Sequence, residues 1–356
     1  MIKVVRGNFL EASAEALVNT VNCVGVMGKG IALQSKKAFP DNYDAYLKAC
    51  RKGEIRPGHM FVYETGRILN PRYIVNFPTK RHWKGRSRYE DIEAGLRALV
   101  AEVRNRKIGS IAIPSLGCGL GGLNWKRVRS MIEDALSGLP EVEVHLYEPA
   151  GTPSTKEMPI GTREPRMTVA RALFIKLMQL YDRNAYRLTL LEIQKLAYFL
   201  QESGQNLRLH YVKHTYGPYA HNLNKVLEVL EGHYIRGYGD TQKPDVEIEL
   251  LPEAPGKADM FLTEHPEAAR RLERVSALVD GFETPYGMEL LSSVHWVAVH
   301  DMTAVDVDGA VGLIRSWNER KERLFRPEHV RIAWDRLVTE EWIRSMGSRV
   351  PVGNDS

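Results

Sequence analysis

The chain has 356 residues, of which 44% are hydrophobic and 26% charged, and its formal net charge is +5. This length allows two domains with separate cores, and no apolar run reaches the roughly 20 residues that a membrane-spanning helix needs. The three cysteines lack the spacing of metal ligands, and the N-terminus lacks a signal-peptide pattern, so we expect a cytoplasmic protein without a metal site.

The first 150 residues alternate between strand and helix patterns. Strands are predicted over residues 2–7, 16–22, 59–65, 72–78, 110–116 and 142–148. Helices are predicted over residues 28–39 and 89–107 and around 128–136. Because strands that alternate with helices bury a sheet between two helical layers, residues 1–150 are predicted to form an α/β/α sandwich.

The pattern changes after this region. Residues 151–165 contain three prolines, two glycines and no apolar period, and we interpret them as a linker. Residues 166–356 are mainly helical in pattern, beginning with a helix that Thr189 and Glu192 cap at its N-terminus. Further helices are predicted near residues 219–232, 265–281, 285–300 and 327–345. The chain is therefore predicted to carry a mainly helical second domain.

Two glycine-rich segments each join a predicted strand to a helix. We name residues 18–32 the first glycine loop and residues 113–125 the second glycine loop. Glycines let the backbone approach a ligand closely, and a helix N-terminus favours an anion. Neither segment matches the G-x-x-x-x-G-K-[ST] or the dinucleotide-binding pattern. Together the two loops predict a diphosphate held from both sides.

The first 150 residues resemble a macrodomain, the ADP-ribose-binding α/β/α fold. The segments that carry the resemblance are "RGNFLEASAEALVNTVNCVGVMGKGIA", "FPTK" and "IPSLGCGLGGLNW". The chain is similar to the branch that contains terminal ADP-ribose protein glycohydrolase, and more similar to the DarG-type antitoxins of DarT–DarG pairs. The resemblance implies that ADP-ribose, a substrate moiety rather than a cofactor, is bound by Asn8, Phe9, Asn22, Gly28, Lys29, Gly30, Ile31, Thr79, Ser115, Gly117, Cys118, Gly119, Leu120, Gly121 and Tyr147.

The resemblance also assigns parts of the ligand to these residues. Asn8 and Phe9 match the adenine-recognition positions, with Tyr147 near them, and Asn22 matches the position that holds the distal ribose. Two residues depart from the family pattern. Asn8 stands where the family usually has aspartate, and Gly121 stands where the glycohydrolase branch has a catalytic aspartate. A mechanism with a lysine and an aspartate is therefore not carried over whole.

Lys80 is the candidate catalytic residue, because the lysine after "FPT" faces the anomeric carbon of the distal ribose in the resembling branch. An amine there can attack that carbon if its pKa is depressed, and the neighbouring cations are expected to depress it. A protonated Lys80 can instead act as an acid toward the leaving base. The sequence leaves both roles open.

The segment after Lys80, residues 81–88, is named the basic strip. Its cationic and aromatic side chains are Arg81, His82, Trp83, Lys84, Arg86 and Arg88. Cations that follow phosphates and rings that stack on bases are typical of single-stranded nucleic-acid grooves, whereas a charge run is otherwise a solvated face. Resemblance to DarG implies a DNA strand with ADP-ribosylated thymine as the substrate.

The second half contains "KLAYF" and "YGP" and resembles the helical domain found in antitoxins beside many toxin genes. The resemblance implies that this domain binds a DarT-type toxin, and we expect a monomer or a 1:1 complex with that toxin. The predicted function is thus a DNA ADP-ribosyl glycohydrolase that also sequesters the toxin. Two alternatives remain: a non-catalytic ADP-ribose reader, which Gly121 favours, and an enzyme acting on protein-linked ADP-ribose, which the basic strip disfavours.

Overall fold

The computed structural model describes residues 1–149, 158–182, 188–238 and 246–343. The chain forms two compact units, of which the first ends at Glu164 and the second begins at Pro165. This boundary lies at the C-terminal end of the segment that the sequence predicted as a linker.

The first unit contains a six-stranded sheet. Its strands are β1 (Ile2–Val5), β2 (Ala16–Asn22), β3 (Phe61–Glu64), β4 (Tyr73–Lys80), β5 (Ser110–Ile113) and β6 (Glu143–Tyr147). The order in the sheet is β1-β6-β5-β2-β4-β3, and all neighbours are parallel except β3 and β4. Because β2 lies between β5 and β4, the carboxyl ends of these three strands lie side by side.

Helices cover both faces of this sheet. They are α1 (Gly30–Ala38), α2 (Pro40–Arg51), α3 (Tyr89–Arg106) and α4 (Trp125–Leu136). Val18 of β2 packs in a core cluster with residues of α3 and α4, whereas the adjacent Leu17 packs in a cluster with Ala38 of α1. The predicted three-layer α/β/α architecture is confirmed. Helix α2 was not predicted from the sequence, because its first turns are polar and it begins at Pro40, shortly after the end of α1.

A close approach between α3 and β4 fixes the position of the basic strip. A Cβ added at Gly95 of α3 would lie 2.2 Å from Cζ of Phe77 in β4, so only glycine lets the helix pack at this distance. The basic strip joins the end of β4 to the start of α3. Both of its ends are therefore anchored in tightly packed elements.

The described part of the predicted linker, residues 158–164, packs against the first unit. Met158 is only 7% exposed and belongs to the same core cluster as Phe9 and Tyr147. The backbone N–H of Gly161 donates to the carbonyl of Lys37 at 2.7 Å. Residues 158–164 thus belong to the first unit, and residues 150–157 lie outside the described residues.

The second unit is mainly helical over its described residues, as predicted. Its helices are α5 (Val169–Asp182), α6 (Leu190–Glu202), α7 (Leu223–Leu230), α8 (Ala254–Leu262), α9 (Pro266–Val279), α10 (Pro285–His300), α11 (Val307–Arg315), α12 (Glu319–Leu324) and α13 (Pro327–Thr339). Short strand pairs are β7 (Tyr211–His214) with β8 (Gly217–Ala220), and β9 (Ile235–Arg236) with β10 (Glu249–Leu250). The predicted capping box is confirmed, since the backbone N–H of Thr189 donates to the Glu192 carboxylate at 2.6 Å.

The predicted helix over residues 219–232 is wrong at its start. Residues 217–220 form β8, and the helix covers only Leu223–Leu230. Gly217 has φ +91°, a backbone conformation that suits a hairpin turn and not a helix.

Within the described ranges, every helix of the protein is too short or too polar to cross a membrane.

Candidate active site

The two glycine loops meet Lys80 at the carboxyl edge of the sheet. The first glycine loop continues from β2, the second continues from β5, and Lys80 is the last residue of β4. In the sheet register Lys80 lies opposite Asn22, the last residue of β2. Three segments that are far apart in the sequence are thus brought to one place.

Asn22 organises the first glycine loop. Its amide oxygen accepts hydrogen bonds from the backbone N–H groups of Val24 at 3.0 Å and Val26 at 3.3 Å. Its amide nitrogen donates to the carbonyl of Val26 at 2.5 Å. These bonds shape the loop after β2 and leave Asn22 only 7% exposed, so the contact with the distal ribose stays a prediction.

The first glycine loop leads directly into a helix N-terminus. Gly28, Lys29, Gly30 and Ile31 are partly buried, and α1 begins at Gly30. The side chain of the N-cap residue Lys29 makes no capping hydrogen bond to the helix. Backbone N–H groups in the first turn of a helix have no intrahelical partner and attract anions. The loop therefore has the geometry that a diphosphate site requires.

The second glycine loop is held by its own backbone. The N–H of Cys118 donates to the carbonyl of Ser115 at 3.1 Å, and the N–H of Leu123 donates to the carbonyl of Gly117 at 3.0 Å. Gly119 and Leu120 at the tip are exposed, whereas Gly121 is buried. The loop thus presents its tip to solvent on a fixed base.

Gly121 has no room for a side chain. A Cβ there would lie 2.2 Å from the carbonyl oxygen of Gly117 and 2.3 Å from Oγ of Ser87. The hydroxyl of Ser87 is buried and has no hydrogen-bond partner among the described residues, while the Ser87 backbone N–H donates to the Gly121 carbonyl at 3.1 Å. An aspartate at position 121 is therefore incompatible with this loop, and Ser87 is a residue that the sequence analysis did not find.

Lys80 contacts the tip of the second glycine loop. Its Nζ donates to the carbonyl of Leu120 at 2.5 Å. Burial lowers the pKa of Lys80 from its ordinary value, because the charged form loses solvation. The sequence suggested Arg81, Lys84, Arg86 and Arg88 as a possible source of a lowered pKa, but burial is the cause.

Two cysteines and a threonine pack around Lys80 and the loops. Sγ of Cys23 lies 3.4 Å from the carbonyl oxygen of Lys80, and Oγ1 of Thr79 lies 3.4 Å from that of Val21. Burial raises the pKa of Cys23 and that of Cys118 to about 11. Both thiols are therefore protonated at neutral pH, as expected for packing residues rather than nucleophiles.

The residues predicted to recognise adenine lie together beyond the carboxyl end of β1 and at the carboxyl end of β6. The rings of Phe9 and Tyr147 are 5.5 Å apart and nearly perpendicular. Asn8 caps the short 3-10 turn over Phe9–Glu11 by accepting from the backbone N–H of Leu10 at 3.1 Å. Ile31 of the first glycine loop packs against the same cluster. The first glycine loop thus packs against the residues that are predicted to recognise adenine.

The basic strip divides into a paired residue and a largely exposed remainder. Arg81 makes two hydrogen bonds to the carboxylate of Asp91, at 3.0 and 3.3 Å, which raise the pKa of Arg81. Nζ of Lys84 lies 5.0 Å from the ring of Trp83. His82, Lys84, Arg86 and Arg88 are exposed, and Trp83 is partly buried. The predicted DNA contact of Arg81 therefore competes with an internal ion pair.

A buried asparagine network underlies the strand ends. Asn76 of β4 donates to Asn42 of α2 at 2.7 Å and accepts from Asn19 of β2 at 2.9 Å. All three side chains are at most 1% exposed. The network ties β2 to β4 a few residues before Asn22 and Lys80. Its signal in the sequence is an asparagine in the middle of each of two largely apolar strands.

Known proteins share sequence similarity with the first unit or with nearly the whole chain. A family model described as Macro domain matches residues 18–132. The chain is 48% identical over 349 residues to a DNA ADP-ribosyl glycohydrolase of Thermus aquaticus, over 96% of this chain and 96% of that protein. It is 38% identical over 163 residues to a DNA ADP-ribosyl transferase-DNA ADP-ribosyl glycohydrolase fusion protein of Thermosipho africanus, over 42% of each. The solved macrodomain of Thermus aquaticus DarG is 57% identical, with a TM-score of 0.41, and the match covers 42% of this chain and 99% of that one.

Proposed function

The chain belongs to the family of DNA ADP-ribosyl glycohydrolases, and we propose that it removes ADP-ribose from thymine bases of single-stranded DNA. Membership makes it a hydrolase with an N-terminal macrodomain and an antitoxin of the DarT–DarG type. The finer proposal concerns the base, the strand and the toxin. One observation carries the hydrolytic role: Lys80 contacts both glycine loops, with its carbonyl oxygen 3.4 Å from Sγ of Cys23 and its Nζ 2.5 Å from the carbonyl oxygen of Leu120.

ADP-ribose fits the order in which the structure arranges the residues. Adenine would pack beside Phe9, in the 3-10 turn that follows β1, and Tyr147, the last residue of β6. The diphosphate would take the backbone N–H groups at the start of α1 and in the second glycine loop. The distal ribose would then lie at the end of β4, with its anomeric carbon against Lys80. This order supports a substrate whose scissile bond is at the distal ribose.

We propose that Lys80 acts as the nucleophile. Its neutral amine attacks the anomeric carbon, the bond from that carbon to the thymine nitrogen breaks, and the base takes up the proton that the amine loses. Water then displaces Lys80, which regenerates the amine and releases ADP-ribose. Burial supports this role, because the lowered pKa of Lys80 increases the fraction of neutral amine. Gly121 supplies no carboxylate, so activation of water falls to groups other than a residue at position 121.

The basic strip would hold the DNA strand that carries the modified base. It leaves β4 directly after Lys80, so a strand that it binds passes next to the proposed scissile bond. Lys84, Arg86 and Arg88 are exposed and form no ion pair within the described residues. Charges of this kind attract phosphates, and the ring of Trp83 can stack on a neighbouring base.

The second unit would bind the DNA ADP-ribosyltransferase toxin. A relative in which transferase and glycohydrolase form one polypeptide supports a functional link between the two activities. We expect residues 165–356, expressed alone, to bind the purified toxin. A fragment that melts cooperatively but leaves the toxin free would contradict this part of the proposal.

A non-catalytic ADP-ribose reader is the alternative function, because Gly121 provides no acidic side chain. One experiment separates the two. Purified protein is incubated side by side with ADP-ribosylated single-stranded DNA and with ADP-ribosylated protein, and released ADP-ribose is measured. We expect release from the DNA and little from the protein. Tight binding to both without release would establish a reader, and preferential release from the protein would establish a different substrate.

A further inference from the structure

The first turn of α4 carries positive charge where a helix ordinarily carries negative charge. Lys126 and Arg127 are exposed in this turn, which contains no acidic residue. The N-terminus of a helix is the positive end of its macrodipole, so cations there lower its stability. The first turn of α3, by contrast, contains Glu90 and Asp91. A departure of this kind from local helix preference is typical of a functional surface.

Lys126 and Arg127 are also without carboxylate partners among the described residues. Arg129, on the same helix, behaves differently. Its guanidinium lies 2.8 Å from the Glu133 carboxylate and 3.8 Å from that of Glu148. Lys126 and Arg127 therefore retain the capacity to bind an external anion, whereas Arg129 is already engaged.

Contacts with Tyr89 place this turn beside the end of the basic strip. The guanidinium carbon of Arg127 lies 3.9 Å from the centre of the Tyr89 ring, and Tyr89 directly follows Arg88. The Tyr89 hydroxyl accepts from the backbone N–H of Asn124 at 3.1 Å, and the Asn124 side chain caps α4 by accepting from the N–H of Arg127. The starts of α3 and α4 are thus fixed to each other.

The second glycine loop lies between these cations along the chain. Ser87, at the end of the basic strip, donates its backbone N–H to Gly121, and the loop then runs through Asn124 into α4. A guanidinium stacked on an aromatic ring keeps its N–H edge for a phosphate. Exposed cations of the basic strip and of the first turn of α4 therefore both lie next to the C-terminal part of the second glycine loop, whose tip contacts Lys80.

We propose that the first turn of α4 is a second phosphate-binding segment, which continues the DNA track from the basic strip past the second glycine loop. This inference rests on the proposed function, because it assigns the same single-stranded DNA substrate a longer path. It places phosphates at Lys126 and Arg127 in addition to those at Lys84, Arg86 and Arg88. Tyr89 is the residue that positions Arg127 for this contact.

The test measures the affinity of the full-length protein for an unmodified single-stranded oligonucleotide across a salt series. In the double variant Lys126→Ala/Arg127→Ala, two phosphate contacts are lost, so the slope of log affinity against log salt should flatten by about 1.4, or 0.7 per contact. Binding of free ADP-ribose should be unchanged. Arg129→Ala is the matched control on the same helix, and its slope should equal that of the wild type.

A charge reversal excludes simple unfolding as the cause. Lys126→Glu places an acid where the macrodipole favours one, so the variant should melt at or above the wild-type temperature while its affinity for DNA falls below that of Lys126→Ala. Arg127→Lys keeps the charge and should keep most of the slope. An unchanged slope in the double variant, or an equal loss in Arg129→Ala, would overturn the proposal.

The result that would refute the proposed function differs from the result that would refute the longer DNA track. A wild-type protein that binds the unmodified strand with the expected salt dependence, but releases no ADP-ribose from modified DNA, would refute the hydrolytic role and leave the track in place. A wild-type protein that releases ADP-ribose, with a double variant that binds the strand as the wild type does, would refute only the track.

Discussion

At the scale of single residues, Gly121 packs so closely against Gly117 and Ser87 that a side chain at position 121 has no room. In Gly121→Ala the new methyl group would meet the Gly117 carbonyl at 2.2 Å, and backbone atoms there cannot move aside without changing the loop. We expect the free energy of unfolding of the first unit to fall by about 1–3 kcal/mol, as for other overpacked sites. Denaturant titration of residues 1–164 measures it.

Gly119 provides the matched control for this substitution. It lies two residues away in the same loop, and a Cβ added there has no neighbour within 4 Å. Gly119→Ala should therefore change the free energy of unfolding by no more than about 0.5 kcal/mol. Equal losses in the two variants would mean that the contact with Ser87 does not restrict the loop.

The role of Lys80 has a definite pH dependence. An exposed lysine has a pKa of about 10.4. Because burial lowers the pKa of Lys80, its neutral amine becomes populated at a lower pH than that of an exposed lysine. If the neutral amine is the nucleophile, the rate of base release at saturating DNA rises with pH up to that pKa and then levels off. Single-turnover rates from neutral to alkaline pH check this expectation. A rate that falls with increasing pH would assign Lys80 to the acid role instead.

The sequence identified some site residues and not others, for physical reasons. Lys80 was found because it belongs to the "FPTK" segment, in which the resembling family has a lysine at the distal ribose. The pairing of Arg81 with Asp91 and the contact of Ser87 with Gly121 depend on how α3 and the second glycine loop fold onto each other. No local pattern encodes such contacts, so they required the structure.

At the scale of elements, we propose that the basic strip binds the DNA of the substrate and does not contact free ADP-ribose. In the triple variant Lys84→Ala/Arg86→Ala/Arg88→Ala up to three phosphate partners are lost. The slope of log affinity for ADP-ribosylated single-stranded DNA against log salt should flatten by about 0.7 per contact, or about 2 in all. Calorimetry with free ADP-ribose should give nearly the wild-type affinity.

A second triple variant controls for net charge. Lys48, Arg51 and Lys52 are exposed at the C-terminal end of α2, and their replacement by alanine removes the same three charges from another element. This variant should keep the wild-type slope. If both triple variants lose the same slope, or if neither does, the basic strip is a solvated face rather than a DNA groove.

The sequence predicted the existence of β4 and α7 but not where each of them begins or ends. The strand pattern of residues 72–78 predicted β4, but the strand runs on to Lys80 because β2 continues to pair with it as far as Asn22. The helical period after residue 219 extended the predicted α7 into residues that pair in a hairpin. Pairing with a distant segment decided both boundaries, and the local sequence does not report it.

At the scale of the whole molecule, the residues before the second unit stabilise the first. Met158 is buried in the core cluster that contains Phe9, so a fragment of residues 1–150 loses this contact whereas a fragment of residues 1–164 keeps it. Burial of a methionine side chain is worth about 2 kcal/mol, and we expect the shorter fragment to melt roughly 4–8 °C lower. Met158→Ala in the longer fragment should reproduce most of that loss. Identical melting temperatures for the two fragments would show that the contact contributes nothing.

The sequence predicted two domains and their fold classes because each half has its own apolar period. It could not place the boundary, since the proline- and glycine-rich composition of residues 151–165 predicts a linker whether or not the segment packs. Gly161 shows why: its backbone bonds to Lys37, and a Cβ there would lie 2.6 Å from the carbonyl oxygen of Ala38. The same glycine that indicated a linker permits close packing.

The central claim is that Lys80 performs the hydrolysis while the glycine loops bind ADP-ribose. The most direct measurement is the single-turnover release of ADP-ribose from ADP-ribosylated single-stranded DNA by the full-length protein and by Lys80→Ala. Lys48→Ala, an exposed lysine on α2, is the control. We predict that Lys80→Ala loses at least about 100-fold in rate while its affinity for ADP-ribose stays close to that of the wild type. Turnover by Lys80→Ala within about threefold of wild type and control would contradict the claim.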